Sequence, residues 1–420
     1  MARGFMTSEI PGVADTASKD SSMSETGFAE RTGMITSSQS LAIIAEVKAL
    51  REAGADIIDF GRQGHTPSIA RDVAARTMSS PVGEFYSNPR GLPDLRRTIA
   101  DRLRSENGID ADPDAEIIVT VGAKQGILTA LLALVGPGDE VLIDDPGWIS
   151  FAPMVRIAGA TPVTVPLAEE NRFRSTADSL RQRITARTRL MVLCNPHNPT
   201  GRCLTLDELQ EIAAVAQEFG LRILMDEAYD HFAYDGNAFI SMASLPGMPA
   251  MTITARTVSK IYNMSGWRIG WVIAPPDVIN RMLSIHTHAV SCPTTAAQAG
   301  AEAAIAAGIG EGDLPIAEIV ANYEIQRDAM IAGLRGIPGM TCFRPEGAFF
   351  AFPNIRSFGM SSVETSRFLL NEARVASIPG SAFGTMGEGH IRFVFKTGVP
   401  EIQRGLARIA QALHGLNDAE

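Results

Sequence analysis

The most chemically suggestive residues of this chain are a lysine and an arginine eight positions apart. They lie in Thr257-Val-Ser259-Lys260-Ile-Tyr-Asn-Met-Ser-Gly-Trp-Arg268-Ile-Gly270. A lysine held among other polar groups can have its pKa lowered, and a neutral amine condenses with carbonyls to form a Schiff base. An arginine beside several hydroxyls suits a phosphate. One cofactor, pyridoxal 5'-phosphate, joins an aldehyde to a phosphate tail and would use both features. Taken by itself the stretch also fits a solvated loop, so its meaning rests on the rest of the chain.

Further groups carry related chemistry. Gly122-Ala123-Lys124-Gln125 follows an apolar run and opens a helix, where free backbone N–H groups bind phosphate; ordinary strand-to-helix turns use glycine too. Asp226 directly follows the apolar run Leu221–Met225, where an unpaired carboxylate is costly. It suits a protonated pyridinium nitrogen, or alternatively a helix N-cap. Tyr229, three positions on, and Asn198, in Asn195-Pro-His-Asn-Pro-Thr-Gly201, both carry groups that could donate to a phenolic ring oxygen. For Asn198 an Asx turn is the plain alternative. Trp148 suits stacking on a pyridine ring or a place in the core.

Periodicity supplies the elements that must position these residues. Ser38–Ala53 reads as a helix, with Leu41, Ile44, Val47 and Leu50 at helical spacing, and Asp56–Phe60 as a short strand before the loop Gly61–Pro67. A turn-rich segment with an aromatic, Tyr86, precedes a helix over about Leu95–Glu106. Apolar strands are then predicted near 117–121, 140–143, 160–165, 190–194, 221–225 and 250–255, alternating with helices. One of those helices starts on the capping box Thr205-Leu-Asp-Glu208, with a buried stripe of Leu209, Ile212, Ala213, Ala216 and Phe219. Apolar strands alternating with amphipathic helices predict an α/β chain with a mostly parallel sheet covered on both faces. Ligands of such sheets sit beyond the carboxyl ends of the strands. Gly122, Trp148, Asn198, Asp226 and Lys260 each fall just past a predicted carboxyl end.

After Gly308–Gly312 the texture changes to a long helix, about Ile316–Leu334, strand-like segments near Phe349–Phe352 and Ile391–Phe395, and a closing helix over Glu401–Leu413. The expected organisation is a disordered tail of residues 1–30, a small domain from 31–70 and 313–420, and a large domain over 71–312. The net charge of −10 with dispersed basic residues argues against nucleic acid as a partner. No apolar run reaches the roughly 18 residues of a membrane span. The four cysteines, Cys194, Cys203, Cys292 and Cys342, show no metal-ligand spacing with the seven histidines. With no secretory signal in the first 30 residues, a cytoplasmic location and no metal are expected.

Three blocks in this order carry a resemblance: Asn195-Pro-His-Asn-Pro-Thr-Gly201, Asp226-Glu-Ala-Tyr229, and Ser259-Lys260 with Gly266-Trp-Arg-Ile-Gly270. With them the chain, from about Ser38 to Leu413, resembles the class I/II, fold-type I, pyridoxal-phosphate-dependent aminotransferases, and is similar to their prokaryotic aspartate aminotransferase branch. That resemblance implies a large domain with a seven-stranded, mostly parallel sheet sandwiched by helices, plus a smaller α+β domain. It implies Lys260 as the Schiff-base lysine and carrier of the α-proton, Asp226 facing the ring nitrogen, Asn198 and Tyr229 the ring oxygen, and Trp148 stacked on the ring. Ala123, Lys124, Thr257, Ser259 and Arg268 would surround the phosphate. Tyr86 matches a tyrosine that reaches the phosphate of the other subunit, which implies a homodimer with shared active sites. Arg392, in Ile391-Arg-Phe-Val-Phe395, matches the clamp for the substrate α-carboxylate, beside Asn198 and a substrate-side loop that here contributes Gly61 and His65.

Three places depart from the family pattern. That loop usually reads Gly-x-Pro-Asp and here reads Gly61-Arg-Gln-Gly-His-Thr-Pro67, so Arg62 and His65 either contact an unusual substrate or are solvated. Ile285–Pro293 lacks the arginine of some dicarboxylate-specific relatives, whereas Lys124 resembles a lysine of the prokaryotic branch that helps bind acidic side chains. Val394 and Lys396 stand where small residues are more usual. The implied activity is transfer of an amino group from an L-amino acid to a 2-oxo acid. The same electron sink also serves decarboxylation, β- or γ-replacement and oxidative deamination, and the amino-acid substrate stays open. A non-enzymatic scaffold of this fold is expected to have lost catalytic residues, yet Lys260, Asp226, Tyr229, Asn198, Arg268 and Arg392 are all present.

Overall fold

The computed structural model describes residues 30–35, 39–60, 67–309 and 314–417. The loop residues Gly61, Arg62 and His65, and the tail through residue 29, lie outside them. Seven strands form one sheet: β1 (Ile117–Thr120), β2 (Glu140–Asp145), β3 (Thr161–Pro166), β4 (Thr188–Cys194), β5 (Arg222–Asp226), β6 (Thr252–Thr257) and β7 (Gly270–Ile273). Their order is β1-β7-β6-β5-β4-β2-β3. Pairing is parallel from β6 through β5, β4 and β2 to β3, while β7 runs antiparallel to both its neighbours. Six strands therefore share one direction, and only β7 is reversed.

Every residue of β1, β2, β6 and β7 is buried, the polar ones of β2 and β6 included, so these strands show no in-out alternation. β7 also opens on Gly270, a poor strand former, and the sequence does not mark it. The helix Leu206–Phe219 starts on the expected reciprocal cap, with Glu208 N donating to Thr205 Oγ1 (3.3 Å) and Thr205 N donating to Glu208 Oε2 (2.9 Å). Its stripe stops a turn early. Val215 is buried, and Phe219, in the last turn before left-handed Gly220, is exposed.

A second sheet holds β8 (Phe350–Ala351), β9 (Ile378–Pro379) and β10 (Ile391–Val394) in the antiparallel order β8-β10-β9. Along β10 and just beyond it, Ile391, Phe393 and Phe395 are buried, so Arg392, Val394 and Lys396 share the opposite face. The expected strand at Asp56–Phe60 is reduced to a single bridge between Ile58 and Val375. Phe60 turns left-handed there (φ +52°), which ends the pairing. The two sheets are tied at one corner by Asp145, the last residue of β2. Its carboxylate accepts from Thr385 N (3.2 Å), Thr385 Oγ1 (2.9 Å) and Met386 N (2.9 Å). Among the described residues, no helix is long and apolar enough to cross a membrane.

Candidate active site

Because six strands run one way, their carboxyl ends lie along one edge of the sheet, and reversed β7 begins at that edge. Gly122 follows β1, Trp148 follows β2, Asn198 follows β4 and Lys260 follows β6, while Arg268 precedes β7. Asp226 is the last residue of β5 rather than the first beyond it. These segments enclose a cavity of about 400 Å³. Ala123, Lys124, Trp148, Asn198, Asp226, Tyr229, Thr257, Ser259, Lys260 and Arg268 all line it, so ten of the residues singled out in the sequence meet in one place.

One end is built for an anion. The helix Gly122–Leu134 starts here, and its first-turn N–H groups carry the positive end of the helix dipole. Gly122 has φ +72°, and a Cβ on it would collide with the Arg268 guanidinium, so glycine lets that cation lie against the helix start. Arg268 itself is left-handed at φ +57°, a cost borne by few arginines and one that clusters at functional sites. Its Nη1 donates to Ser265 O (2.8 Å). Thr257 Oγ1 donates to Ile269 O (2.9 Å), accepts from Ser259 N (3.1 Å) and meets Ser259 Oγ at 2.8 Å. A guanidinium, two hydroxyls and a helix start thus converge with Lys124. Lys124 Nζ stands 5.0 Å from the centre of the Trp148 ring, and burial then nearby Arg268 lower its pKa.

The other end holds Asp226. It is buried, with Oδ1 accepting from Ala228 N (3.1 Å), and burial pushes its carboxyl up to about 6. Lys260 lies between the two ends. Its Nζ is 5.1 Å from the Tyr229 ring centre and 5.8 Å from that of Phe349. Burial lowers the amine to about 8; Asp226 opposes the shift, and Arg392 and Lys396 add to it. In cofactor-free protein, pulse acetylation of Lys260 read by mass spectrometry should therefore be half-maximal near pH 8. Exposed lysines should titrate about two units higher. An alkaline midpoint shared with the surface lysines would remove the basis for a neutral amine here.

Beyond the cavity wall, Arg392 Nη1 donates to Asn198 Oδ1 (2.8 Å). Its guanidinium carbon lies 4.5 Å and 4.8 Å from the ring centres of Phe350 and Phe383, and burial lowers its pKa to about 10. Arg392 Nε is buried and has no hydrogen-bond partner. Tyr86 does not join the cavity of its own chain; it stands 88% exposed, beside exposed Phe85, Val82 and Met78. None of residues 285–293 lines the cavity. His286 is buried against Gln125 instead, with its Nδ1 3.2 Å from Gln125 Nε2.

Some contributors are invisible in the sequence. Ser265 and Ala228 line the cavity, and Phe349, Phe350 and Phe383 supply the aromatic floor under Lys260 and Arg392. Buried aromatic residues in short segments carry no mark separating floor from core. Lys396 had a signal, its unusual size for that position. Its Nζ donates to Asn263 Oδ1 (2.6 Å), and Asn263 N donates to Lys260 O (3.0 Å), so the strand bearing Arg392 is tied to the turn bearing Lys260.

Comparison with known proteins places the chain in a family. The family model described as aminotransferase class I and II matches residues 54–409. The chain is 37% identical to an aspartate aminotransferase of Pyrococcus abyssi, over 88% of this chain and 93% of that one. It is 38% identical to aromatic-amino-acid aminotransferase 2 of Thermococcus litoralis, over 84% of this chain and 89% of that one. The solved aspartate aminotransferase of Thermus thermophilus with maleate superposes with a TM-score of 0.86 at 31% identity, covering 92% of this chain and 99% of that one. With most of its length matched and its polar residues gathered at the strand ends, this chain is an aminotransferase and belongs to the class I and II family.

Proposed function

We propose that this aminotransferase holds pyridoxal 5'-phosphate in the 400 Å³ cavity and moves an amino group from an L-amino acid to a 2-oxo acid. The observation that carries the reading is the convergence of Lys260, Asp226 and the anion cradle around Arg268 on one cavity. The donor set fits the cofactor at each part. The helix start with Thr257, Ser259, Arg268 and Lys124 would take the phosphate, and Trp148 offers a flat face to the ring. Asn198 and Tyr229 offer donors to its oxygen, Asp226 offers a carboxylate to its nitrogen, and Lys260 offers the amine that would hold it covalently. When bound, the group supplies a carbonyl for amines and a ring that withdraws electrons from the substrate's α-carbon.

The chain's own residues do the rest. Arg392, braced by Asn198 and set over two rings, presents Nε and the remaining guanidinium protons to a substrate carboxylate. Lys260 Nζ, neutral above about pH 8, accepts the proton from the α-carbon and returns it elsewhere. Asp226 retains the negative charge that keeps a proton on its partner; the desolvation that raises its own pKa strengthens that pairing. The aromatic floor of Tyr229, Phe349 and Phe350 keeps water from the amine.

The reading extends to assembly. Exposed Met78, Val82, Phe85 and Tyr86 form an apolar stretch that suits a second copy, with Tyr86 reaching that copy's phosphate end. Residues 71–312 would form the cofactor-holding domain, and 31–70 with 313–420 the domain that carries Arg392. The four unpaired cysteines suit a reducing cytoplasm. Sedimentation velocity should give a dimer, and Tyr86→Ala should weaken cofactor affinity roughly tenfold, the scale of one lost charge-assisted hydrogen bond, by fluorescence titration. A monomer with unchanged affinity would refute the shared site. The central test adds L-amino acids one at a time to the cofactor-loaded protein and follows the cofactor's near-ultraviolet absorption together with oxo-acid release. Absence of both with every donor would end the proposal.

A further inference from the structure

A second cavity, of about 640 Å³, adjoins the first at Arg392, which lies in its wall while bonded to Asn198 in the wall of the first. We propose that this second cavity receives the substrate's side chain, and that the preferred side chain is bulky, apolar and uncharged. The inference rests on the reading of Arg392 as the carboxylate clamp and names the class of substrate that clamp serves.

Three observations carry it. The first is shape. On one side stand Ile43 and Val47, four residues apart on the helix Gln39–Glu52 and therefore on one face of it; on the other stand Ile378 and Val394. Val394 is two residues past Arg392 on the same face of β10, so a group whose carboxylate meets the guanidinium would extend along Val394. The volume is that of a pocket for a small molecule. The second is the clamp itself, whose buried Nε lacks a partner beside this space.

The third is the distribution of charge. Five charged residues line the cavity: Lys48, Arg51, Glu52, Asp59 and Arg392. Lys48 Nζ lies 3.7 Å from Glu52 and Arg51 Nη2 lies 2.8 Å from Asp59, so four of them form two neutral pairs. The net charge of the wall among the described residues is thus one positive unit, all of it at Arg392. One carboxylate is balanced there. A second would be desolvated among apolar groups and placed near the Glu52 and Asp59 carboxylates. Lys124, the residue that suggested an acidic side chain from sequence, stands over Trp148 in the first cavity and not in this wall.

The test measures kcat/KM on the cofactor-loaded enzyme with L-phenylalanine, L-leucine, L-alanine, L-aspartate and L-glutamate. Phenylalanine or leucine should exceed aspartate and glutamate by at least about 100-fold, the scale of discrimination by an apolar pocket. Alanine, whose side chain is too short to fill the cavity, should react measurably and serves as the control. If no donor reacts, alanine included, the reading of the site itself is wrong; if alanine reacts and the acidic donors match or beat the apolar ones, the side-chain assignment is wrong. Calorimetry with two unreactive acids, 3-phenylpropionate and succinate, gives an answer independent of turnover. The first should bind at least about tenfold more tightly, and tighter succinate overturns the assignment. Ile43→Lys, on a partly exposed helix position, should lower the phenylalanine-to-alanine ratio of kcat/KM about tenfold and raise the aspartate-to-alanine ratio. A uniform loss across all three donors would instead mean that Ile43 does not face the side chain.

Discussion

Lys260→Ala should fold as the parent does and lose at least about 10⁴-fold in kcat, the upper range for removal of a positioned base. Lys260→Arg should lose as much. The second substitution separates charge from basicity: a guanidinium keeps the cation near Asp226 but stays protonated at every working pH. Among the described residues the Lys260 side chain makes no hydrogen bond or salt bridge; its amine faces two aromatic rings and is drawn to Asp226, so alanine leaves that carboxylate without its cation while arginine keeps a positive charge there. Circular dichroism should therefore match the parent for both variants, and melting for the arginine variant, while single-turnover measurements collapse. Retention of more than about 1% of parental kcat by the arginine variant would show that the proton is carried by another group.

Asp226→Asn should do two opposed things. Activity should fall by roughly 10²–10⁴, because the amide cannot hold a negative charge opposite a protonated nitrogen. Cofactor-free protein should become more stable at neutral pH. The sign follows from linkage: a carboxyl whose folded pKa is raised from 3.8 to about 6 contributes stability fully present below pH 4 and lost as pH rises through 6. Two units correspond to about 3 kcal/mol as an upper figure. The melting curves of variant and parent should therefore coincide near pH 4 and separate by pH 7, with the variant higher. A variant less stable at pH 7 would mean that the Asp226 carboxylate already has a partner in the cofactor-free protein that the Ala228 amide alone does not provide.

The large sheet is legible in the sequence where burial makes it so. Strands β1, β2, β4 and β5 carry apolar runs closed by glycine, proline or polar residues, β6 is a threonine-rich segment around Ile253 and Ala255, and β3 sits close to its expected place. Where several end in a residue able to do chemistry, the cavity follows from strand direction alone. Lys260, Asp226, Asn198 and Trp148 are readable together for that reason, although each has a bland alternative by itself. β7 escapes because it opens on Gly270 just after the Ser265–Trp267 turn, whereas β1, equally short and equally buried, is four β-branched residues. Asp56–Phe60 is over-read because apolar composition cannot announce the left-handed turn at Phe60. The second cavity is least legible. Ile43, Asp59, Ile378 and Arg392 are far apart in the chain, and the pairing of Arg51 with Asp59 exists only after folding.

The reversed direction of β7 has a consequence for how firmly the central lysine is held. Thr257 at the end of β6 pairs directly with Gly270 at the start of β7, so the segment between them is a loop closed at its neck by adjacent antiparallel strands. A Cβ at Gly270 would press on the backbone of Gly122 and Ala123, which locks that neck against the start of the helix Gly122–Leu134. Opening this loop requires breaking the middle of the sheet, not the fraying of an edge. Amide hydrogens of β6 and β7 should accordingly exchange only through global unfolding, while those of the helix Gln39–Glu52 exchange through local opening. Catalysis would then run on a lysine held beside a slowly exchanging part of the molecule, with one wall of the neighbouring cavity, the helix Gln39–Glu52, opening more readily.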